Sequence, residues 1–229
     1  MRVWLARTEP GATRQAAALA ARGFGVLKAP VLGIEPLQTA LPEEPFDVAV
    51  FVSEHAVFCA AANGWHADAG SAIPIGTATA RALQAQGIEP SWPAQANAQG
   101  VVDVFAPSPP GRVLVVKGLG GRTTLQDWLR TRDRTVVEWD VYRRVPLNPG
   151  ISGERVDVIV ASSGDGLRVV EQLWFAERRD ARIPLLVPSE RVADLAKAMG
   201  FERVVVTAGA GSSAVVDALL KLREGSENG

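Results

Sequence analysis

The residues best suited to chemistry in this sequence are hydroxyls, cations and glycine-flanked amides that directly follow short apolar runs. In chain order they are Arg7, Thr8, Ser53, Glu54, His55, Thr77, Thr79, residues 117–122, Ser162, Ser163, Ser189, Glu190 and Arg191. Such groups donate hydrogen bonds to anions, and the start of a following helix adds partial positive charge. A second interpretation stays open, because serine and threonine at these places also cap helices, and a capping residue can still face a ligand.

Two glycine-rich turns stand among these residues. The turn "KGLGGR" (117–122) lacks both the GxxxxGK[ST] order of a phosphate loop and the GxGxxG of a dinucleotide site. Its simpler role is close approach of the backbone, with Lys117 and Arg122 beside available amides. The turn "SSGDG" (162–166) is open to two interpretations: it is either a loose turn or an anion-binding site formed by backbone amides.

The stretch "EWDVYRRVP" (138–146) holds Tyr142, the only tyrosine of the sequence. A phenol is still protonated at neutral pH and can therefore act as a general acid. The alternative is that Tyr142 only packs between elements, with Arg143 and Arg144 as solvated surface.

Several other kinds of site are not supported. The histidines are His55 and His66, and Cys59 between them stands in an alanine-rich stretch typical of a buried core. No G-x-S-x-G elbow of a hydrolase occurs. Arg7 and Lys117 stand where a phospho-receiver would carry clustered acidic residues. We predict neither a metal site nor a cofactor.

An internal repeat organises the elements that must position these residues. "RVWLAR" (2–7), "DVAVFVS" (47–53) and "IPI" (73–75) return at an offset of 110 as "RVLVVK" (112–117), "DVIVASS" (157–163) and "IPL" (183–185). A fourth match, "GVVDVF" (100–105) with "AVVDAL", is offset by 114, which predicts an insertion of about four residues between 190 and 208. Matches in the same order indicate a tandem duplication, with its halves meeting near "PSPPG" (107–111).

Each half alternates short apolar runs with helical patterns, which is typical of parallel strands covered on both faces. We therefore predict two doubly wound α/β units of about five strands each. The segments 32–46 and 143–155 are proline-rich and resemble connections between domains.

Composition indicates a soluble cytoplasmic protein. The formal net charge is −1, so nothing global suggests nucleic acid or an anionic membrane, and the single cysteine allows no internal disulfide. The start "MRVWLART" lacks a signal-peptide layout, and no apolar run approaches the roughly 18 residues of a membrane helix.

The sequence resembles the uroporphyrinogen-III synthase family over nearly its whole length. The resemblance is carried by short motifs in order: "RVWLART", "FVSEHAV" (51–57), "IGTATARAL" (75–83), "RVLVVKGLGGR" (112–122), "VYRR" (141–144), "ASSGDGL" (161–167) and "VPSERVADLAKAMGF" (187–201). In "SEHAV", members often have Ser or Thr, then a small residue and Asn, so the resemblance supports a ligand role for Ser53 and not for Glu54 or His55.

The resemblance implies two similar doubly wound, flavodoxin-like parallel-sheet domains that arose by duplication and exchange segments. Residues 1–34 would join 147–229 in one domain, and residues 47–137 would form the other. Residues 35–46 and 138–146 would be connecting strands, and hinge motion between the domains would open and close the site.

The resemblance also implies a reaction. The family is a lyase that closes hydroxymethylbilane, a linear tetrapyrrole, into uroporphyrinogen III with inversion of the terminal pyrrole and loss of water, without a cofactor. The implied setting is a cytoplasmic monomer in tetrapyrrole biosynthesis, and the enzyme that forms hydroxymethylbilane is a possible partner. A two-lobed protein that binds or senses a small molecule without catalysis is the alternative.

The family's catalytic tyrosine maps onto Tyr142, which would protonate the departing hydroxyl. By position, the residues that would line the substrate cleft from both domains are Ser53, Thr79, Ser163 and Ser189, with Thr77, Ser162, Arg7, Lys117 and Arg122 as further candidates. The repeat pairs Ser53 with Ser163 and Thr79 with Ser189, whereas Tyr142 is paired with Leu32, a residue that has no proton to give.

Overall fold

Strands and helices alternate along the chain in the computed structural model, which describes residues 1–43, 45–66, 71–91, 100–101 and 111–227. The strands are β1 (Arg2–Leu5), β2 (Gly25–Lys28), β3 (Leu32–Pro36), β4 (Val48–Phe51), β5 (Ser71–Pro74), β6 (Arg112–Gly118), β7 (Thr135–Pro146), β8 (Val158–Val160), β9 (Leu185–Val187) and β10 (Val204–Val206). The helices are α1 (Gly11–Ala20), α2 (Glu54–Ala62), α3 (Thr77–Ala85), α4 (Thr124–Arg130), α5 (Gly164–Ala176), α6 (Glu190–Ala198) and α7 (Ser212–Glu227).

The chain divides into two compact units. The first comprises Met1–Gly33 and Val145–Gly229, and the second comprises Ile34–Arg144. The first sheet has the strand order β10-β9-β8-β1-β2, and the second has the order β3-β7-β6-β4-β5. Strand pairs such as β1–β8 and β4–β6 are parallel, so the predicted α/β class with parallel sheets is confirmed.

Apolar cores lie on both faces of the first sheet because its strands alternate. Val3 and Leu5 of β1 belong to one buried cluster, whereas Trp4 between them belongs to another. All three side chains have no exposed surface. The interior strands β4 and β8 are buried at every residue, as expected for parallel strands covered by helices on both sides.

Strand registers agree between the two sheets at three of the strands. The pairs Arg2–Gly25 and Val3–Val158 of the first sheet correspond, at a sequence offset of 110, to the pairs Arg112–Thr135 and Val113–Val48 of the second. The strands β8-β1-β2 therefore have the same relative placement as β4-β6-β7.

The fourth strand corrects the predicted place of the insertion. Ile159 pairs with Leu185, whereas Ala49 pairs with Ala72, so β9 and β5 correspond at an offset of 113 rather than 110. The extra residues precede β9 and do not fall between 190 and 208, since α5 has 13 residues where α2 has 9. The repeat match at 100–105 and the predicted junction at 107–111 lie mostly outside the described residues.

The predicted connecting strand over 35–46 is shorter than expected. β3 ends at Pro36, and residues 37–43 and 45–46 are not in a strand. Pro36, Pro42 and Pro45 have no N–H to give to a neighbouring strand, which explains the early end. The other predicted segment, 138–146, lies wholly within β7.

No helix among the described residues is long and apolar enough to cross a membrane.

Candidate active site

Ser53 stands at the carboxyl end of β4 and caps helix α2. Its backbone is extended, and its Oγ accepts a hydrogen bond from the amide of Ala56 at 3.1 Å. A side-chain cap of this kind satisfies an amide that the helix itself leaves unpaired. The capping interpretation of Ser53 is therefore correct, and the same oxygen also faces a neighbour that could do chemistry.

That neighbour is Tyr142, which lies buried in β7 with 1% of its surface exposed. A register shift between Lys117 and Gly118 brings Tyr142 opposite Gly118 on the neighbouring strand β6. A methyl group on Gly118 would lie 2.5 Å from two ring carbons, Cε2 and Cζ. The first glycine of the glycine-rich turn therefore leaves room for the phenol ring because it has no side chain.

Among the described residues, two polar side chains lie within hydrogen-bonding distance of the phenol oxygen. It lies 3.1 Å from Ser53 Oγ, and Arg144 Nη2 donates to it at 3.2 Å. The Arg144 guanidinium carbon is 5.4 Å from the centre of the Tyr142 ring, and the His55 ring is 5.7 Å away from the same centre. The only phenol of the sequence is thus held by a hydroxyl and a cation.

Arg143 points away from this group, because side chains alternate along a strand. It is half-exposed and makes two hydrogen bonds to Glu35, at 3.0 Å and 2.7 Å. The hydrogen bond from Arg143 lowers the pKa of Glu35. The interpretation as solvated surface therefore holds for Arg143 and fails for Arg144.

Lys117 is buried between two carboxylates. Its Nζ lies 2.8 Å from Asp140 and 3.3 Å from Glu138. Burial alone would lower the pKa of Lys117, but the hydrogen bonds and charges of Asp140 and Glu138 outweigh it and raise the pKa. The positive charge of Lys117 is thus already compensated within the protein, which leaves it less to offer an anionic ligand.

A cavity of about 250 Å³ opens beside the glycine-rich turn of the second unit. Its walls include Lys117, Arg122, Thr124 and Arg144, and the backbone of Gly118, Gly120 and Gly121. Arg122 is exposed, whereas Arg144 is half-buried. The structure therefore brings the predicted residues Lys117 and Arg122 together with Arg144 around one cavity.

Two further predicted residues of the second unit lie at the start of α3. Thr77 is its first residue and is exposed, whereas Thr79 is buried with 3% exposure. The residue before the helix is Gly76, and the residue before α6 in the first unit is Ser189. The predicted pairing of Thr79 with Ser189 is wrong, because the offset of 113 makes Gly76 the counterpart of Ser189.

The first unit carries its predicted residues at the carboxyl ends of β1, β8 and β9. Ser163 caps α5 by accepting from the amide of Gly166 at 3.1 Å, and Ser162 precedes it half-buried. Ser189 directly precedes α6, and its side chain accepts no capping hydrogen bond from the helix. Arg7 Nη1 donates to the carbonyl of Ala210 at 2.6 Å.

The sequence analysis includes Gly118 in the turn 117–122 but does not predict that it makes room for Tyr142, and it misses the roles of Arg144, Glu138 and Asp140. A signal existed for the acidic pair, because Glu138 and Asp140 are two apart on one strand and share a face. A signal also existed for Arg144, which shares a face with Tyr142 for the same reason. In the part of the chain that the structure describes, no group of three metal-binding side chains is close enough to hold an ion.

These observations define a protein of two parallel-sheet α/β units with polar and cationic groups gathered at the carboxyl ends of the strands, where such folds bind ligands. A family model described as Uroporphyrinogen-III synthase HemD matches residues 14–217, and the chain belongs to this family.

A curated relative is similar to this chain in sequence, and solved structures are similar to it in fold. The chain is 30% identical to a uroporphyrinogen-III synthase of Escherichia coli (strain K12) over 118 residues, which cover 47% of this chain and 48% of that protein. The match thus spans about half the length of this curated relative. A solved uroporphyrinogen III synthase of Thermus thermophilus is similar in fold, with a TM-score of 0.59, 18% identity and coverage of 98% and 99% of the two chains. A solved uroporphyrinogen-III synthetase of Helicobacter pylori 26695 is also similar in fold, with a TM-score of 0.64 and 12% identity. The match covers 97% of this chain and 100% of that chain.

Proposed function

We propose that this protein is a uroporphyrinogen-III synthase, a hydro-lyase of tetrapyrrole biosynthesis. It would close hydroxymethylbilane into uroporphyrinogen III with inversion of the terminal pyrrole and loss of water. The observation that carries the proposal is the buried phenol of Tyr142, which lies 3.1 Å from Ser53 Oγ in a chain of this family.

Tyr142 is the general acid in the proposed reaction. Its proton goes to the terminal hydroxyl of the substrate, the carbon–oxygen bond breaks, and water leaves with the bonding electrons. The resulting azafulvene is attacked by the far pyrrole through its substituted carbon, and a spiro intermediate forms and rearranges. A positioned acid of this kind accelerates a reaction by about 10²–10⁴-fold.

The enzyme must also decide which carbon attacks, because the substrate closes by itself without inversion. Holding the chain in one folded arrangement is an orientation effect that can be worth several kcal/mol. The substrate carries eight carboxylates when ionised, and hydroxyls, amides and cations at the strand ends suit them. The proposed substrate-binding residues are Ser53, Thr77, Thr79, Lys117, Arg122, Ser162, Ser163, Ser189 and Arg7. The cavity that Arg122 lines supports this assignment for the second unit.

We also propose that the two units arose by duplication and have exchanged segments. The domains would be 1–34 with 147–229, and 47–137, joined by 35–46 and 138–146. Equivalent strand pairs at an offset of 110 support the duplication, and the return of the chain from Val145 onward to the first unit supports the exchange. The proposed setting is a cytoplasmic monomer that uses no cofactor and receives its substrate from the enzyme that forms hydroxymethylbilane.

An isomer assay tests the proposed activity. Hydroxymethylbilane is supplied to the protein, the products are oxidised, and the isomers I and III are separated and measured against a sample without protein. We expect isomer III to form in excess over that control. Formation of isomer I alone would exclude the synthase and leave the alternative of a two-lobed binding or sensing protein.

A further inference from the structure

Tyr142 can act as an acid only if its hydrogen points at the substrate rather than at the protein, and Arg144 bears on this directly. A phenol oxygen donates one hydrogen and accepts others through its lone pairs, whereas a guanidinium only donates. The contact of 3.2 Å from Arg144 Nη2 therefore occupies a lone pair of the phenol oxygen. It cannot consume the phenol hydrogen.

Ser53 is the second neighbour of that oxygen, and it can act in two ways. Its Oγ accepts from the amide of Ala56, and its own hydrogen remains to be given. If Ser53 donates to Tyr142, the phenol oxygen receives from both neighbours and its hydrogen is left for a third group. If Ser53 accepts, the phenol hydrogen stays within the protein. Donation by Arg144 is compatible with both arrangements, and it strengthens as negative charge grows on the oxygen.

We propose that Arg144 is the positioning residue for Tyr142: it holds the phenol oxygen as an acceptor and stabilises the phenolate that remains after the proton has left. This chemical step rests on the proposed function, while the contact between Arg144 and Tyr142 does not. The guanidinium stays charged throughout, so its hydrogen bond to a phenolate is charge-assisted.

The proton that Tyr142 donates is returned to it by the end of the reaction. The oxygen–hydrogen bond of Tyr142 breaks, and the hydrogen goes to the substrate hydroxyl, which leaves as water with the electrons of the broken carbon–oxygen bond. Positive charge then lies on the substrate, and negative charge lies on Tyr142 Oη beside Arg144. The substituted carbon that attacks first carries no hydrogen, so no proton leaves when the spiro intermediate forms. After the rearrangement, the unsubstituted α-carbon of the same pyrrole makes the bond that completes the ring and loses its one proton, and the phenolate takes that proton back.

Arg143 provides a matched control within the same strand. It is the same residue type, one position earlier, and alternation places it on the opposite face, where it pairs with Glu35. A general loss of positive charge or of strand stability would affect variants of both arginines. An effect on the phenol would be specific to Arg144.

The kinetic test compares Arg144→Met, Arg144→Lys and Arg143→Met with the unmodified protein. We expect Arg144→Met to lower kcat roughly 10- to 100-fold with little change in KM, since the lost donor acts on charge that appears only during the reaction. Arg144→Lys keeps a cation and should recover part of kcat, and Arg143→Met should stay within about twofold of the unmodified protein. A raised KM with unchanged kcat in Arg144→Met would overturn the proposal, because Arg144 would then bind a substrate carboxylate instead.

A spectroscopic test does not depend on activity. Because the sequence contains one tyrosine, labelling tyrosine with ¹³C at the ζ carbon gives a single NMR signal that reports Tyr142 alone. We expect Arg144→Met and Arg144→Lys to move this signal and Arg143→Met to leave it in place. Equal displacement by Arg143→Met would overturn the positioning role. If the unmodified protein forms no isomer III, the proposed function fails. The NMR comparison then still tests whether Arg144 contacts Tyr142 in solution.

Discussion

The two units carry the same serine cap at corresponding strand ends. Ser53 and Ser163 have nearly identical extended backbones, with φ and ψ of −163° and 162° in the first case and −158° and 161° in the second. Each accepts a hydrogen bond of 3.1 Å from the amide three residues further along. The difference lies beside the cap, where Tyr142 contacts Ser53 and a leucine occupies the corresponding place.

That leucine is Leu32, which the offset of 110 makes the counterpart of Tyr142. Its Cδ1 lies 3.8 Å from where a methyl group on Gly166 would stand, so it packs against the helix start that Ser163 caps. Leu32 and Tyr142 therefore occupy equivalent surroundings with different chemistry. The comparison shows the same serine-capped helix start beside a phenol in one unit and beside an apolar side chain in the other.

Removing the phenol hydroxyl is the most direct way to break this comparison. We expect Tyr142→Phe to lower isomer III formation by about 10²–10⁴-fold. The free energy of unfolding should fall by only about 1 kcal/mol, because one or two hydrogen bonds are lost. The control is Leu32→Met, a volume-conserving change that should leave turnover within about twofold. Unchanged turnover in Tyr142→Phe would remove it from catalysis.

Moving the phenol without changing its chemistry is the second test. In Gly118→Ala the added methyl would lie 2.5 Å from the Tyr142 ring, so the ring must shift. We expect turnover to fall roughly 10- to 100-fold, because displacement of a reacting group by about 1 Å is that costly. Overpacking should also cost about 1–3 kcal/mol of stability, which thermal unfolding would measure.

Gly166→Ala is the matched control in the first unit. Its methyl would lie 3.3 Å from Ser163 Oγ and 3.8 Å from Leu32, which needs only a small adjustment. The change should alter stability by less than about 1 kcal/mol and leave kcat within about twofold. If both alanines lowered kcat equally, crowding at Tyr142 would not be the cause.

Removing each serine cap sharpens the comparison further. Ser53→Ala and Ser163→Ala should each cost about 1 kcal/mol of stability, the usual effect of losing a cap. Beyond that shared cost, Ser53→Ala should lower kcat roughly tenfold because Tyr142 loses a hydrogen-bond partner. Ser163→Ala should instead raise KM if it binds the substrate. Equal kcat in the unmodified protein and Ser53→Ala would contradict a role for Ser53 in the proton step.

The sequence predicts much of this comparison because short apolar runs and their offset are visible without a structure. The strands β1, β4, β6 and β8 fall where the repeated runs predict them, and the contrast between Tyr142 and Leu32 is visible from the same alignment. The match between "IPI" (73–75) and "IPL" (183–185) predicts an offset of 110 at this strand. The pairing of β5 and β9 in the two sheets gives an offset of 113 instead. A match of three residues cannot locate the insertion, because the helix before it has 13 residues in the first unit and 9 in the second.

The contacts of the site needed the structure. The register shift between Lys117 and Gly118 determines which residue lies opposite Tyr142. No residue type in the sequence predicts a register shift of this kind. Lys117 is a predicted substrate-binding residue, and the structure places it between Asp140 and Glu138 because both carboxylates project from the neighbouring strand β7. Pairing across strands depends on register, which local patterns do not encode.

The strand ends of the two units also differ in how they hold a cation. Lys117 of the second unit is held by two carboxylates, and its counterpart Arg7 in the first unit donates to the backbone carbonyl of Ala210. Burial opposes the charge of Glu138, but hydrogen bonds from Arg130, Gln126 and Lys117 prevail and lower its pKa below the ordinary 4.5. The stabilisation from Glu138 is therefore present above about pH 4.5 and is lost as the pH falls through its lowered pKa.

This loss gives the smallest expected effect, measured as the free energy of unfolding against pH. At pH 7, Glu138→Gln should be less stable than the unmodified protein by about 1 kcal/mol or less, because the pair is partly exposed to solvent. The gap should close as the pH falls through the lowered pKa of Glu138, because the protonated carboxyl resembles glutamine. In a Lys117→Met background the same substitution should open a smaller gap at pH 7, because one of the donors that lower the pKa of Glu138 is gone. A gap that stayed constant from pH 7 to 3 would show that Glu138 stabilises the second unit through packing rather than charge.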